Sequence, residues 1–365
     1  LVAMAVEDFA QFSPTDFHEK FRESSFRISE PTNEPIIGVI DTLFDEHVYF
    51  SEWVEYRDML DENIEKTAND MFHGTAVSSI IVDGPRLNPD LDDGCGNFKV
   101  RHFGVATAKA FSSFSIIKII REIISQNRDI HVWNLSLGSN DEVNQNFISA
   151  EGAILDQIQF ENDVIFVVAG TNKASTEPAK KIGAPADSLN SVVVNSVGIN
   201  NQPALYTREG IVLEFFAKPD VSYYGGTPEK WMKVCEPLGE ANVSGTSYAA
   251  PWISRKLSYL IDVMDLPREV AKAMLIDSAV GWENKTDWES IKLKGYGVVP
   301  QKIDDILKSK NDEIKFVISG VSEQYNTYNY RFPVPVADGK YPYIAKATMC
   351  YFPKTSRNQG VDYTN

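Results

Sequence analysis

Pro35-Ile36-Ile37-Gly38-Val39-Ile40-Asp41 is a short continuous apolar run that ends on an acid. An alternating run would mark a strand with one wet face, whereas a continuous one marks a strand covered on both faces, as in a parallel sheet between helices. Asp41 then stands at the carboxyl end of that strand, the edge where open parallel sheets place their ligands. Runs of the same type return at His131 to Leu135, Val164 to Ala169 and Ser191 to Val197. Between them, Ser112 to Gln126 and Glu151 to Gln157 carry apolar positions at helical spacing. Strands alternating with helices predict a doubly wound α/β fold, a mostly parallel sheet flanked by helices. Beyond Gly245, Tyr248 to Met264 reads as a long apolar helix, and Pro267 opens another that runs to about Ala279.

Outside this core the texture changes. Residues 1–34 read as an irregular lead-in with at most a short helix around Pro14 to Glu23, and 35–309 as the main domain. From 310 to 365, Ile314 to Ser319, Tyr328 to Val336 and Tyr343 to Phe352 alternate between turn residues and predict the start of a β-rich C-terminal region. There is room for only about three or four strands of ordinary length, so an incomplete sheet, and with it a longer natural protein, is expected.

The chain has 365 residues, 43% hydrophobic and 24% charged, which excludes wholesale disorder and fibrous organisation and allows a sizeable core. Its net charge of −16 disfavours nucleic acid and anionic lipid as partners. No apolar stretch is long enough to span a bilayer, and the first residues lack the basic region of a signal peptide. The 3 cysteines are too few for a disulfide framework. A cytoplasmic, reducing location is therefore expected, without membrane attachment.

Three segments carry nucleophilic chemistry, in the order Asp41, His73, Ser247. Ser247 lies in Gly245-Thr246-Ser247-Tyr248-Ala249-Ala250-Pro251, where small residues let a helix N-terminus approach a substrate carbonyl. His73 lies in His73-Gly74-Thr75, again opening a helical stretch, and Asp41-Thr42 follows its buried strand, suited to hold the far ring nitrogen of a histidine. The set resembles the subtilisin-like serine proteases, the subtilases, over roughly Glu34 to Ile306. Further linked pieces are Asn134-Leu135-Ser136-Leu137-Gly138 and Ala169-Gly170-Thr171-Asn172, with weaker echoes at Ala184-Pro185-Ala186, Lys218-Pro219-Asp220 and Gly295-Tyr296-Gly297.

The resemblance implies a serine endopeptidase acting through an acyl-enzyme, with Asp41, His73 and Ser247 as catalytic triad and Asn172 as side-chain donor of the oxyanion hole. It further implies that Ser136, Leu137 and Gly138 form an edge that pairs with extended substrate. Ala169 and Gly170 would then wall the pocket for the residue preceding the cut. The substrate is polypeptide, and neither cofactor nor metal is implied. Where the family has Asp-Thr/Ser-Gly and Ala-Gly-Asn, this chain has Asp41-Thr42-Leu43 and Gly170-Thr171-Asn172, and Ser79 stands at a position the family commonly gives to glycine.

The segment ahead of Asp41 is too short for the usual prodomain, so activation by propeptide cleavage is not expected. A free protease in a cytosol needs restraint, from an inhibitor, an associated ATPase or the C-terminal region. The alternative is a subtilase-fold interaction protein, latent or inactive and controlled by a partner. Asp90-Leu91-Asp92-Asp93-Gly94 lacks the regular alternation of a calcium loop and reads as a solvated turn. His18, His47, His102 and His131 show no metal-ligand spacing and read as surface or satisfied histidines.

Overall fold

The apolar run from Pro35 forms strand β1 (Ile36–Thr42) near the middle of a seven-stranded sheet. The structure, a computed structural model, describes residues 27–364 except 109–112, 145, 282–286, 322, 324, 333, 335, 337, 342–343 and 357–361. After β1 come β2 (Val54–Asp58), α1 (Phe72–Leu87), β3 (Lys99–Ala106), α2 (Ser113–Gln126), β4 (Val132–Leu135), α3 (Ala150–Asn162), β5 (Ile165–Ala169) and β6 (Val192–Val197). The chain continues through a short pair, β7 (Ile211–Val212) and β8 (Phe216–Ala217), to β9 (Val221–Tyr224) and the hairpin β10 (Met232–Glu236) and β11 (Gly239–Val243). Helices α4 (Thr246–Ser258), α5 (Arg268–Ala279), α6 (Trp288–Lys294) and α7 (Ile303–Leu307) follow.

The sheet order is β2-β3-β1-β4-β5-β6-β9, and every pairing in it is parallel. β2 and β3 lie on one side of β1, with β2 at the edge, and β4, β5, β6 and β9 run outward on the other, so the order reverses beside β1, the place where such sheets open a crevice. One core lies between the sheet and α1, α4 and the β10–β11 hairpin, and a second lies under α2 and α3. Both faces are thus dry, which is why these strands read as continuous apolar runs. Gly38 pairs with Trp133, and a Cβ there would fall 2.2 Å from the indole. Glycine at this point lets Trp133 lie across β1, between Phe103 and Phe166 at 5.8 and 6.3 Å.

Helix α4 is buried along nearly its whole length. Arg255 on it is fully buried, holding Asp93 through two bonds of 2.8 and 2.9 Å and the carbonyls of Ile81 and Gly96. The acidic run expected as a solvated turn is one at Asp90 and Asp92, which pair at the surface with Lys230 at 2.7 Å and Lys302 at 2.6 Å, while Asp93 is buried and anchors Arg255. Serine in place of glycine at Ser79 has a packing reason, since its hydroxyl accepts the backbone N–H of Cys235 at 3.0 Å and ties β10 to α1.

The three segments from Ile314, Tyr328 and Tyr343 that were expected as strands carry no strand among their described residues. Most described residues there are exposed until Lys346, Thr348, Phe352 and Tyr363 return to the body. Alternation supplied an apolar face but no sheet to bury it. The short helix expected around Pro14 to Glu23 lies outside the described residues.

Candidate active site

Asp41 is the sixth residue of β1 and has no exposed surface. Its Oδ1 accepts the backbone N–H of Thr42 at 2.7 Å and faces Nδ1 of His73 at 2.6 Å. A carboxylate only accepts, so Nδ1 of His73 carries the proton and Nε2 is left with its lone pair. The other oxygen, Oδ2, is buried with no hydrogen-bond partner among the described residues. An imidazolium on His73 is then the charge that offsets the carboxylate.

His73 stands in the first turn of α1, and its side chain keeps 28% of its surface open. The helix is brought this close by Gly74: a Cβ there would lie 2.6 Å from the carbonyls of both Thr42 and Leu43. Thr42 adds a clasp, its hydroxyl accepting the N–H of Gly74 at 2.9 Å. Behind it, buried His102 donates from Nε2 to the Thr42 carbonyl at 2.7 Å and meets the Ser78 hydroxyl at 2.9 Å. Burial works against the charged form of His73, but the Asp41 carboxylate and, farther off, Glu236 outweigh it and raise its pKa above the ordinary histidine value.

Ser247 is the second residue of α4, at the positive end of the helix dipole. Its hydroxyl donates to the carbonyl of Ser136 at 3.4 Å, while the Ser136 hydroxyl donates to the carbonyl of Ser247 at 3.3 Å. The next residue, Tyr248, places its ring 5.8 Å from that of His73. Asn172 follows β5, and its Oδ1 accepts both the backbone N–H and the hydroxyl of Thr246 at 3.1 Å. Those bonds fix the amide so that Nδ2 is its free donor.

Ser136, Leu137 and Gly138 continue β4 past the sheet, Ala169 ends β5, and Gly170 follows it. Asn134 locks this region to α4, donating to Ser136 Oγ and accepting from Ser254 Oγ, each at 3.0 Å. A shallow apolar recess lies next to Leu137, lined by Ile116, Ile120, Leu135, Leu155 and Ala184. Asp41 thus meets His73 at the end of β1, Ser247 meets Ser136 after β4, and Asn172, after β5, meets Thr246 beside Ser247.

Two groups were not foreseen. Asp70, buried ahead of α1, accepts the N–H of Ala108 at 2.6 Å, and its carbonyl accepts that of Leu43 at 2.9 Å, pinning the loop after Asp41. Glu236, at the end of β10, is a buried carboxyl whose pKa is pushed by burial up to about 8, against the pull of His73. Thr67 three places before Asp70 was a capping signal in the sequence; nothing local marked Glu236. Of the other histidines, His47 pairs with Asp45 at 2.8 Å and His131 with Asp262 at 2.7 Å, while His18 lies outside the described residues.

The sequence model of the Peptidase S8 family, the subtilases, matches residues 32–305, and the chain belongs to that family. It is a serine-type endopeptidase by class, and its substrate is polypeptide. Similar solved structures share the fold at low identity. The prenylagaramide maturation protease PagA is 18% identical at TM-score 0.55, covering 75% of this chain and 92% of its own. The patellamide maturation protease PatA is 18% identical at 0.53, covering 74% and 95%. The epidermin leader peptide processing serine protease EpiP of Staphylococcus aureus is 16% identical at 0.58, covering 77% and 76%. No curated protein matches the chain.

Proposed function

We propose that Ser247 is the nucleophile, His73 its general base and then acid, and Asp41 the group that orients His73. Attack by Ser247 Oγ on a peptide carbonyl passes its proton to His73 Nε2. The oxyanion is met by Asn172 Nδ2 and the backbone N–H of Ser247 at the start of α4. His73 next gives the proton to the leaving amine, and a water repeats the sequence to release the acyl group. The 2.6 Å bond between His73 and Asp41 carries this reading, because it sets the tautomer that the base requires. The Ser247 hydroxyl, now on the Ser136 carbonyl at 3.4 Å, must leave that carbonyl to give its proton to the base.

Substrate backbone pairs with Ser136, Leu137 and Gly138 in this proposal, as an added strand. The three free thiols fit a reducing, cytoplasmic setting, where an inhibitory protein or an ATPase that delivers unfolded chains would limit cleavage. A fluorophosphonate probe with peptide mapping tests the core of the reading. Labelling of Ser247, lost in Ser247→Ala, is expected; a folded wild-type protein that takes no label at Ser247 overturns it.

A further inference from the structure

On the catalytic reading above, the residue that precedes the scissile bond would lie between two walls, Ser136 to Gly138 on one side and Ala169 to Thr171 on the other. In this chain the walls touch. A Cβ built on Gly138 would fall 2.6 Å from Cγ2 of Thr171, so the threonine methyl lies directly against the glycine. Thr171 is nearly buried and held rigidly: its hydroxyl donates to the Gly170 carbonyl at 2.6 Å and accepts the N–H of Gly183 at 2.9 Å. The Gly183 segment is itself joined to the first wall, where the backbone N–H of Ser139 donates to the Ala184 carbonyl at 2.7 Å. Three segments therefore close on the one side chain.

The backbone adds an independent observation. Thr171 has φ of 64°, a left-handed conformation that β-branched residues rarely adopt. A glycine would sit there without strain and leave the space open. Strain of this kind persists where the surroundings impose it, and it clusters at ligand sites. The residue that departs from the family pattern in Gly170-Thr171-Asn172 is thus the one that fills the cleft.

We propose that Thr171 determines specificity by plugging the cleft between these two walls, so that the enzyme cuts after glycine, alanine or another small residue and rejects aromatic and long aliphatic ones. The proposal rests on the catalytic reading above, since it deepens the description of the same cleft. Binding strength must then come from the extended backbone and from side chains farther along it, not from a large residue at the cut.

The test compares quenched peptides that differ only in the residue before the cut, alanine or phenylalanine, with wild type and Thr171→Gly. Wild type is expected to favour alanine by about 100-fold in kcat/KM, the scale on which close-fitting pockets discriminate. Thr171→Gly should shrink that ratio by about tenfold or more, whatever it does to absolute rate through its neighbour Asn172. A wild-type enzyme that cuts after phenylalanine as readily as after alanine, or a ratio unmoved by Thr171→Gly, overturns the proposal.

A second arm needs no catalysis: binding of product peptides ending in alanine or phenylalanine to Ser247→Ala and to Ser247→Ala with Thr171→Gly. Tighter binding of the alanine product, relaxed by Thr171→Gly, supports the plug even if the probe never labels Ser247. Labelling of Ser247 without any such preference removes the plug and leaves the catalytic reading standing.

Discussion

The carboxyl edge of the sheet and the chain beyond Leu307 are built from similar residue types and reach opposite ends. At the edge, apolar runs meet helices on both faces, and the buried polar groups Asp41 and Asn134 meet partners in the interior, as Arg255 and Asp93 do toward the far end of α4. Beyond Leu307, Ile314, Phe316, Val317, Tyr328, Tyr330 and Phe332 are exposed. The extension is fastened by a few contacts: Lys346 and Thr348 on Asp277, Phe352 over Arg268 at 4.1 Å, and Tyr363 on Asp156 at 2.7 Å. Apolar pattern alone does not make a core; a facing surface does.

Breaking the core that backs this edge should cost most. Arg255→Met removes the partner of a fully buried carboxylate and leaves Asp93 uncompensated, so stability should fall by about 3–5 kcal/mol. Denaturant unfolding measures this, and a loss below about 1 kcal/mol would show that the pair is no anchor.

A smaller effect sharpens the picture inside the edge itself. His73 is faced by Asp41 from β1, Tyr248 from α4, buried His102 from β3 and Glu236 from β10. Because its partners favour the charged ring, activity should rise with a midpoint above the ordinary histidine value of about 6.5. Below about 8 Glu236 is mostly its neutral acid, so Glu236→Gln should lower that midpoint only slightly, by removing the minor carboxylate form that favours the imidazolium. A kcat/KM profile against pH reads the shift, and an unchanged acid limb denies Glu236 any hold on His73.

Thermal unfolding gives a second reading of the same variant. Glu236 titrates near 8 when folded and in the ordinary carboxylate range, about 4.5, when unfolded, so wild type loses stability as pH rises between them. The variant should not, and its advantage in Tm should grow from pH 5 to pH 8.

The least effect on activity is expected from removing the extension. A chain ending at Ser309 loses the Phe352 and Tyr363 contacts with α5 and α3 and should lose a few degrees of Tm. Its rate on an unfolded protein should stay within about twofold of the full chain, because these anchors fall away from His73, Asn172 and Ser247. A large increase would instead make the extension a restraint on the cleft.

Much of the edge was legible because its signals are local. The run from Pro35 announces a doubly covered strand, and glycines beside His73 and Ser247 announce close backbone approach. What was not legible depends on contacts distant in sequence. Glu236 becomes relevant to His73 only when β10 lies on α1, through the bond from Cys235 to Ser79. Thr171 could be seen to depart from a family pattern, yet that it fills a cleft follows from Gly138, which belongs to another strand end. The extension misled for the converse reason: alternation is a property of a segment, and its burial is a property of what faces it.

The burial of α4 has a consequence for how the protein comes into being. Ser247 enters on a helix that packs against β1, β4, β5, β6 and β9, so its position is defined only once nearly the whole sheet has assembled around it. Asp41 and His73 emerge from the ribosome long before, but everything from Gly74 to Thr246 must follow before a nucleophile joins them. Contacts so far apart in sequence form late. On the catalytic reading proposed above, the site is therefore completed last, by the helix that fills the core.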